Sequence, residues 1–192
     1  CDFCRMGLTS QCVDIKTSAL GVMRDGGYAE YCLVPEKQCF VLPDEIDDIL
    51  GTQVETLATV VNGMNTLQML PYDYVMVIGF GPIGYLFSQF AKNIVAKVAV
   101  TEIDPFRIEV AKRCGLTVWN PKEVDVVEKI TEFTYGRKAD IVIEATGNDL
   151  ATALKCVTPG GKVLPFGMDS SITTTVVPNE ITRWATKILG LY

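Results

Sequence analysis

The chain has 192 residues, of which 48% are hydrophobic, enough to fill one domain and part of a second. The net charge of -6 and the lack of a basic cluster argue against a nucleic-acid surface. No apolar run reaches the length of a membrane span and no signal peptide opens the chain, so we expect a cytoplasmic protein without membrane contact. Its seven cysteines then predict thiols or metal ligands rather than disulfides.

Three cysteines lie close together at the start of the chain. Cys1, Cys4 and Cys12 have the spacing C-x2-C-x7-C in a polar loop, which is typical of a zinc knuckle with three of its four ligands. Free thiols in a disordered tail are an equally good interpretation. A C-x-x-C redox pair is a third, although that motif normally opens a helix after a strand.

The next segments predict two short strands and a helix. Gly26–Pro35 alternates between apolar and polar residues after a glycine turn, and Cys39–Leu42 follows as a second strand. Thr52–Met69 has apolar residues at helical spacing, with Glu55 among them. A buried carboxylate would need a metal, a cation or hydrogen-bond donors. From the spacing alone, a solvated acid stabilised by the helix dipole is the favoured interpretation.

Tyr74–Gly84 predicts a strand, a glycine turn and a helix in succession. Tyr74–Ile78 is an unbroken apolar run, as in a parallel strand buried on both faces. Gly79, Gly81 and Gly84 then fit G-x-G-x-x-G. In this motif the first glycine permits a tight turn, the second lets the backbone approach a pyrophosphate, and the third lets the helix pack on the strand. We therefore predict a dinucleotide site at this turn, with phosphates at the helix N-terminus.

An acidic residue ends the next predicted strand, Lys97–Thr101. Glu102 follows the glycine turn by about 20 residues, where a carboxylate binds the ribose hydroxyls of NAD and repels the 2′-phosphate of NADP. An ordinary solvated loop acid is the alternative. Arg107 lies nearby, and an arginine can instead accommodate a 2′-phosphate. The pattern favours NAD over NADP.

The remainder of the chain alternates between strands and helices. Further strands are predicted over Leu116–Trp119, Asp140–Ala145, Lys162–Gly167 and Lys187–Tyr192. Helices are predicted over Phe106–Cys114, from Asn120 onward, over Leu150–Val157 and over Asn179–Ala185. Six strands with the glycine motif on the first predict an α/β Rossmann fold, a doubly wound parallel sheet in the order 3-2-1-4-5-6. Pro165 lacks a donor, so we expect a bend or a missing bond there.

Two segments follow strands that end near the glycine turn. Thr146 and Gly147 come after the fourth strand, and Phe166, Gly167 and Met168 come after the fifth. Because a dinucleotide lies across the carboxyl ends of such strands, these residues are candidate walls for its adenosine and nicotinamide halves. Turn chemistry alone explains them equally well.

Together these features closely resemble the zinc-dependent medium-chain alcohol and polyol dehydrogenases, such as sorbitol and threonine dehydrogenases. The resemblance covers the whole chain in order and rests on the cysteine cluster, GGYAEYCLVP, VETLATVVNG, GFGPIG, VTEID with Arg107, DIVIEATG and GGKVLPFG. It implies a β-rich remnant of a GroES-like catalytic domain over residues 1–50, a connecting helix over 51–72 and a NAD-binding Rossmann domain over 73–192.

The resemblance also implies two zinc sites. The family's structural zinc loop has four cysteines, and Cys1, Cys4 and Cys12 match the last three, which implies an incomplete site in this chain. Glu55 matches a glutamate that binds the catalytic zinc directly or through water, although Thr56 replaces the usual proline. This reverses the interpretation of Glu55, which becomes a catalytic and metal-binding candidate. The other catalytic ligands would lie upstream.

For the cofactor, the resemblance assigns Glu102 to the ribose and Arg107 to the adenosine. It also matches Ile83, Phe166, Gly167 and Met168 to positions that line the cofactor. With the residues of the glycine turn and of the loop after the fourth strand, the remaining cofactor-binding candidates are Gly79, Gly81, Pro82, Ile83, Gly84, Thr146, Gly147, Phe166, Gly167 and Met168. The implied reaction is zinc-assisted hydride transfer to NAD from a secondary alcohol such as a polyol, a sugar-alcohol phosphate or an amino alcohol.

The chain begins at a cysteine rather than a methionine and contains no histidine, so we expect a fragment of a longer enzyme. Such a fragment would keep mainly dinucleotide binding and would itself be inactive. An alternative is a non-catalytic nucleotide-binding or dimerisation module, a homodimer or tetramer formed through the edge strand Lys187–Tyr192. A zinc-free quinone-reductase relative is a third possibility, disfavoured by the cysteine cluster and Glu55.

Overall fold

The computed structural model describes residues 1–191, which divide into two units, Cys1–Val54 and Glu55–Leu191. The first unit contains an isolated bridge between Leu20 and Arg24 but no longer ladder. Its helices are α1 (Asp2–Arg5), α2 (Ile15–Ser18) and α3 (Asp48–Gly51), with 3-10 turns at Thr9–Gln11 and Glu36–Gln38.

The β-rich character predicted for this first unit is wrong. Neither Gly26–Pro35 nor Cys39–Leu42 forms a strand, and most of their side chains are exposed. A strand exists only where a neighbour accepts and donates its ladder hydrogen bonds, and no segment within residues 1–191 pairs with these two. Their alternating pattern therefore favours strands, but these segments have no neighbouring strand to pair with in residues 1–191.

The second unit is built on six parallel strands. They are β1 (Tyr74–Ile78), β2 (Lys97–Thr101), β3 (Thr117–Trp119), β4 (Ala139–Glu144), β5 (Val157–Pro165) and β6 (Lys187–Ile188). Their spatial order is β3-β2-β1-β4-β5-β6, and every adjacent pair is parallel. The predicted Rossmann topology is thus confirmed, with the strand that precedes the glycine motif at the centre.

Six helices accompany the sheet within the described residues. They are α4 (Val54–Leu67), α5 (Pro82–Lys92), α6 (Pro105–Arg113), α7 (Val126–Phe133), α8 (Leu150–Cys156) and α9 (Pro178–Trp184). The helix predicted from Asn120 begins later, at Val126, because the Asp125 carboxylate caps it by accepting from the N–H groups of Val127 and Glu128. Asn120 instead forms a local turn, in which its amide donates to Glu123 Oε1 at 2.7 Å. None of the helices in residues 1–191 combines the length and the hydrophobicity that a bilayer crossing requires.

Both faces of the sheet are covered, which explains the unbroken apolar sequence of β1. Val75 and Val77 pack with residues of α4, α5 and α6 on one face, while Met76 and Ile78 pack with residues of α7 and α8 on the other. Cys156 belongs to the second layer, where burial raises the pKa of its thiol to about 12. It is therefore a neutral core residue at physiological pH.

The pairing of β6 is short because of a proline in its neighbour. Val163 pairs with Ile188, and the next bond in the ladder is the one from Leu189 N–H to Val163 O at 2.9 Å. Pro165 has no N–H to continue that ladder, so the missing bond expected at this position coincides with the end of β6. The strand predicted over Lys187–Tyr192 is correspondingly shorter, and Tyr192 lies outside the described residues.

Candidate functional site

A tight glycine turn joins β1 to α5. Gly79 has φ +89°, and a Cβ there would lie 2.6 Å from Thr146 Cγ2. Gly84 lies against the carbonyl oxygen of Gly79, so closely that a Cβ would overlap it. Gly81 caps the helix with φ -70° and ψ -173°, and only Arg107 Nη1, at 3.5 Å, lies near the position of its missing Cβ. The turn is thus closely packed at its first and third glycines and open at the second.

The start of α5 leaves donors available beside this opening. Pro82 occupies the first helical position and has no N–H to satisfy. Tyr85 N–H donates to Gly81 O at 2.8 Å, whereas the N–H groups of Ile83 and Gly84 have no acceptor within residues 1–191. An anion bound next to Gly81 would meet these two donors and the positive end of the helix dipole.

The Glu102 carboxylate fixes the end of β2 to this turn. Its side chain is 6% exposed. Its Oε2 accepts from Phe80 N–H at 2.9 Å, and its Oε1 accepts from Ile103 N–H at 2.7 Å and Asp104 N–H at 2.9 Å. Glu102 is therefore not an ordinary solvated loop acid. Phe80, the residue between the first two glycines, is a contact that sequence reasoning missed.

Arg107 lies at the rim of the same turn. Asp104 caps α6 by accepting from Arg107 N–H at 2.9 Å, which places the arginine in the first turn of that helix. Its guanidinium is half exposed, 3.8 Å from Glu102 Oε2. The arrangement puts one half-exposed cation beside a carboxylate that three backbone N–H groups hold in place.

The loops after β4 and β5 meet beside the glycine turn. Gly147 has φ +84°, and the backbone of Gly167 lies so close that a Cβ on Gly167 would overlap Gly147 N. Phe166 turns inward, with its ring 4.9 Å from that of Phe87 in an edge-to-face arrangement. Met168 points outward and is 82% exposed. The structure therefore brings both predicted wall segments to the sheet edge that carries the glycine turn.

Sequence reasoning missed the residue that joins these two loops. Glu144, the last residue of β4, is 2% exposed. Its carboxylate accepts from the N–H groups of Thr146 and Gly147, and its backbone carbonyl accepts from those of Phe166 and Gly167. An acidic residue that ends the otherwise apolar run DIVIE is the signal that could have identified it, because a buried carboxylate requires donors.

The three N-terminal cysteines come together in the first unit. The Sγ atoms of Cys1, Cys4 and Cys12 lie within 4.8 Å of one another, and those of Cys1 and Cys4 are 3.6 Å apart. Tetrahedral zinc with Zn–S bonds of about 2.3 Å requires sulfurs about 3.8 Å apart, so this cluster fits three zinc ligands. Asp14 N–H lies 3.4 Å from Cys12 Sγ and would support a thiolate there. The hydrogen bond with Cys12 raises the pKa of Cys4, so zinc binding would displace protons from the cluster.

Glu55 lies in the first turn of α4 and is exposed. Within residues 1–191 its carboxylate forms no ion pair or side-chain hydrogen bond, and the cysteine cluster is the one group of three or more side chains placed to bind a metal. The geometry matches the solvated helix acid, and its role as a zinc ligand stays a prediction from the resemblance.

Comparison with known proteins assigns the family. The family model described as zinc-binding dehydrogenase matches residues 82–192, more than half of the chain. The chain belongs to the zinc-binding dehydrogenase family. The resemblance predicted from the motifs is thereby confirmed, and the Rossmann sheet that carries the glycine turn lies largely within the matched region.

A curated relative shows how much of a family member is present. The chain is 29% identical over 196 residues to L-threonine 3-dehydrogenase of Marinomonas sp. (strain MWYL1), covering 100% of this chain and 56% of that protein. The chain therefore spans about half the length of the curated relatives it matches.

Two solved structures of similar fold contain a dinucleotide. One is an alcohol dehydrogenase from E. coli CFT073 complexed with NADH, with 28% identity and a TM-score of 0.87 over 99% of this chain and 56% of that one. The other is a zinc-binding dehydrogenase from Sinorhizobium meliloti 1021 bound to NADP, with 27% identity and a TM-score of 0.82 over 94% and 58% of the two chains.

The packing of the glycine turn predicts different effects at its second and third glycines. Gly84→Ala forces a Cβ into a backbone carbonyl that cannot move aside, so we expect it to destabilise the fold by about 1–3 kcal/mol. Gly81→Ala places a Cβ in ordinary van der Waals contact with Arg107 Nη1 at allowed dihedral angles and should cost less than about 1 kcal/mol, as a poorer N-cap. Urea unfolding of both variants measures this difference. Equal losses of stability would contradict the described turn geometry.

Proposed function

We propose that residues 73–192 bind NAD and that the protein oxidises a secondary alcohol by zinc-assisted hydride transfer. The observation that carries the proposal is the Glu102 carboxylate, held by Phe80 N–H beside the open face of Gly81. A carboxylate so placed is what ribose binding requires, and the open second glycine is what pyrophosphate binding requires. Membership of the zinc-binding dehydrogenase family supports the reaction class.

Each residue of the turn has a defined task in this proposal. The N–H groups of Ile83 and Gly84 bind the pyrophosphate next to Gly81. A carboxylate has about four lone-pair sites, and three are used by backbone N–H groups, so Glu102 retains capacity for a ribose hydroxyl. Arg107 flanks the adenosine. When bound, NAD supplies the hydride acceptor, and the protein's contribution is to hold it in place.

The residues on the other side of the glycine turn would form the remaining walls. Thr146 and Gly147 are proposed to line the adenosine side, and Phe166, Gly167 and Met168 the nicotinamide side. The close approach of Gly147 to Gly167 supports this role, because it keeps both loops beside the glycine turn.

NAD rather than NADP is the proposed cofactor. The negative charge of Glu102 disfavours a 2′-phosphate at the ribose it binds. The positive charge of Arg107 would instead favour a 2′-phosphate and hence NADP. Its guanidinium lies 3.8 Å from Glu102, however, so part of that charge is already compensated. The neighbouring structures with NADH and with NADP show that similar proteins bind either one.

The substrate and the two metal sites complete the proposal. The relative named L-threonine 3-dehydrogenase supports an amino alcohol, and a polyol or sugar-alcohol phosphate is the wider class. Reduction of NAD with L-threonine or a polyol as the donor is the assay that distinguishes these substrates. Glu55 is proposed as a ligand of the catalytic zinc. The cysteine cluster is proposed to hold the structural zinc, in a cytoplasmic setting that keeps its thiols reduced.

Calorimetric titration of NAD and NADP tests the cofactor assignment. We expect saturable NAD binding by the unmodified chain and weaker NADP binding. Glu102→Gln removes the charge but keeps an acceptor oxygen, so it should raise the affinity for NADP relative to NAD by about tenfold, or about 1.4 kcal/mol. Gly81→Ala fills the open face of the turn and should weaken both nucleotides. An unchanged preference in Glu102→Gln would contradict the role of this acid, and no NAD binding by folded protein would contradict the proposed function.

Metal analysis tests the structural zinc site. Because three sulfurs make an incomplete site, the chain is expected to bind zinc weakly in equilibrium dialysis, and Cys4→Ser should abolish that binding because two sulfurs remain at the cluster. Cys32→Ser, which removes an exposed thiol outside the cluster, is the matched control. Equal zinc contents in the two variants would eliminate the cysteine cluster as a metal site.

Homodimer formation through the edge of β6 is also proposed. Leu189 N–H faces β5, so the N–H of the preceding residue, Ile188, points toward the free edge of the sheet. Ile188→Pro therefore removes an outward donor while keeping the bonds to β5. Sedimentation velocity should show a dimer for the unmodified chain and a monomer for this variant. A dimer that persists in Ile188→Pro would exclude pairing through this edge.

A further inference from the structure

Glu144 is a buried carboxylate that the glycine fingerprint does not account for. It is 2% exposed at the end of β4, and no lysine or arginine within residues 1–191 forms an ion pair with it. A buried charge of this kind is retained only where several donors compensate its lost hydration. The donors around Glu144 therefore indicate what the carboxylate holds in place.

All of those donors belong to the loop after β4. Oε1 accepts from Thr146 N–H at 2.8 Å and from Gly147 N–H at 3.0 Å, and the Thr146 hydroxyl donates to the same oxygen. Oε2 lies 3.0 Å from Gly147 N. One side chain thus binds two consecutive backbone N–H groups and a hydroxyl of this loop.

The backbone of the same residue holds the second loop. Its carbonyl accepts from Phe166 N–H at 2.8 Å and from Gly167 N–H at 3.0 Å. The two loops consequently touch, with Gly167 against Gly147, and the Thr146 methyl group packs on Gly79 of the glycine turn. Glu144 therefore determines how far both loops stand from that turn.

We infer that Glu144 is a positioning residue that sets where the loops after β4 and β5 lie relative to the glycine turn, and thereby the affinity for the dinucleotide. The inference rests on the proposed function, since it assigns Glu144 an effect on NAD binding without contact with NAD. What matters is the reach of the side chain, that is, its length: the carboxylate oxygens must extend to the N–H groups of Thr146 and Gly147. Its charge serves only to make those bonds strong.

Three substitutions separate reach from charge. Glu144→Gln keeps the reach and loses the charge. Its amide oxygen can take the place of Oε1 and accept from Thr146 N–H and Gly147 N–H, while the Thr146 hydroxyl donates to Asn148 Oδ1 instead. Its amide nitrogen replaces Oε2, which costs only the second, shared bond from Gly147 N–H. Glu144→Asp keeps the charge but is one methylene shorter, so its oxygens withdraw from the loop. Glu144→Leu removes both. Glu109→Leu, which removes an exposed acid on α6, is the control for the change in net charge.

NAD affinity is measured by calorimetry at a temperature where circular dichroism shows each variant to be folded. We expect Glu144→Gln and Glu109→Leu to bind within about threefold of the unmodified chain, and Glu144→Asp and Glu144→Leu to bind about tenfold more weakly, the net equivalent of one hydrogen bond. If the residue merely stabilised the fold, melting temperatures would fall while the folded molecules bound NAD with unchanged affinity. Glu144→Asp also provides the comparison if Glu144→Leu fails to fold.

The outcomes separate this inference from the proposed function. Equal NAD affinity in the unmodified chain and in Glu144→Asp overturns the inference and leaves the proposed function standing. Weaker binding by Glu144→Gln than by Glu144→Asp also overturns it, because charge rather than reach would then be decisive. If the folded, unmodified chain binds neither NAD nor NADP, the proposed function fails and the inference fails with it.

Discussion

The structure depends on how the backbone N–H groups at the carboxyl edge of the sheet find acceptors. Where β1, β2 and β4 end, their loops leave the ladder and lose the partners that the sheet supplies. Two buried carboxylates replace those partners, Glu102 beside the glycine turn and Glu144 beneath the loops after β4 and β5. Because a buried N–H without an acceptor costs about 1–3 kcal/mol, these two side chains stabilise the irregular backbone at the carboxyl edge of the sheet.

The use of two buried carboxylates as acceptors has an electrostatic consequence for the glycine turn. Two negative charges flank a turn that is suited to a diphosphate, and repulsion would weaken binding if those charges were exposed. Both carboxylates are instead directed at backbone dipoles, while the free donors of α5 and the guanidinium of Arg107 face the opening. Position therefore matters more than net charge: although the chain is acidic, the groups at this opening are N–H donors and a half-exposed guanidinium.

Much of the second unit could be predicted from the sequence, because local pattern and long-range packing agree there. The apolar run of β1 predicted a strand covered on both faces, and the glycine spacing predicted the turn, the helix and hence the strand order. Glu144 could not be assigned in advance, since its partners belong to two loops that only the parallel pairing of β4 and β5 brings together. The start of α7 was misplaced because Asn120 and Asp125 are both good caps, and local hydrogen bonds decide between them.

The first unit shows the opposite relation between pattern and structure. The strand predicted over Gly26–Pro35 requires a distant partner, and none of residues 1–191 supplies one. The cysteine cluster needs only α1 and the short turn at Thr9–Gln11, which bring three sulfurs together within twelve consecutive residues. Cysteine spacing therefore predicted that the three sulfurs lie together, whereas the alternating pattern wrongly predicted the strands. Contacts within twelve consecutive residues depend on local backbone geometry, and a ladder depends on a distant segment.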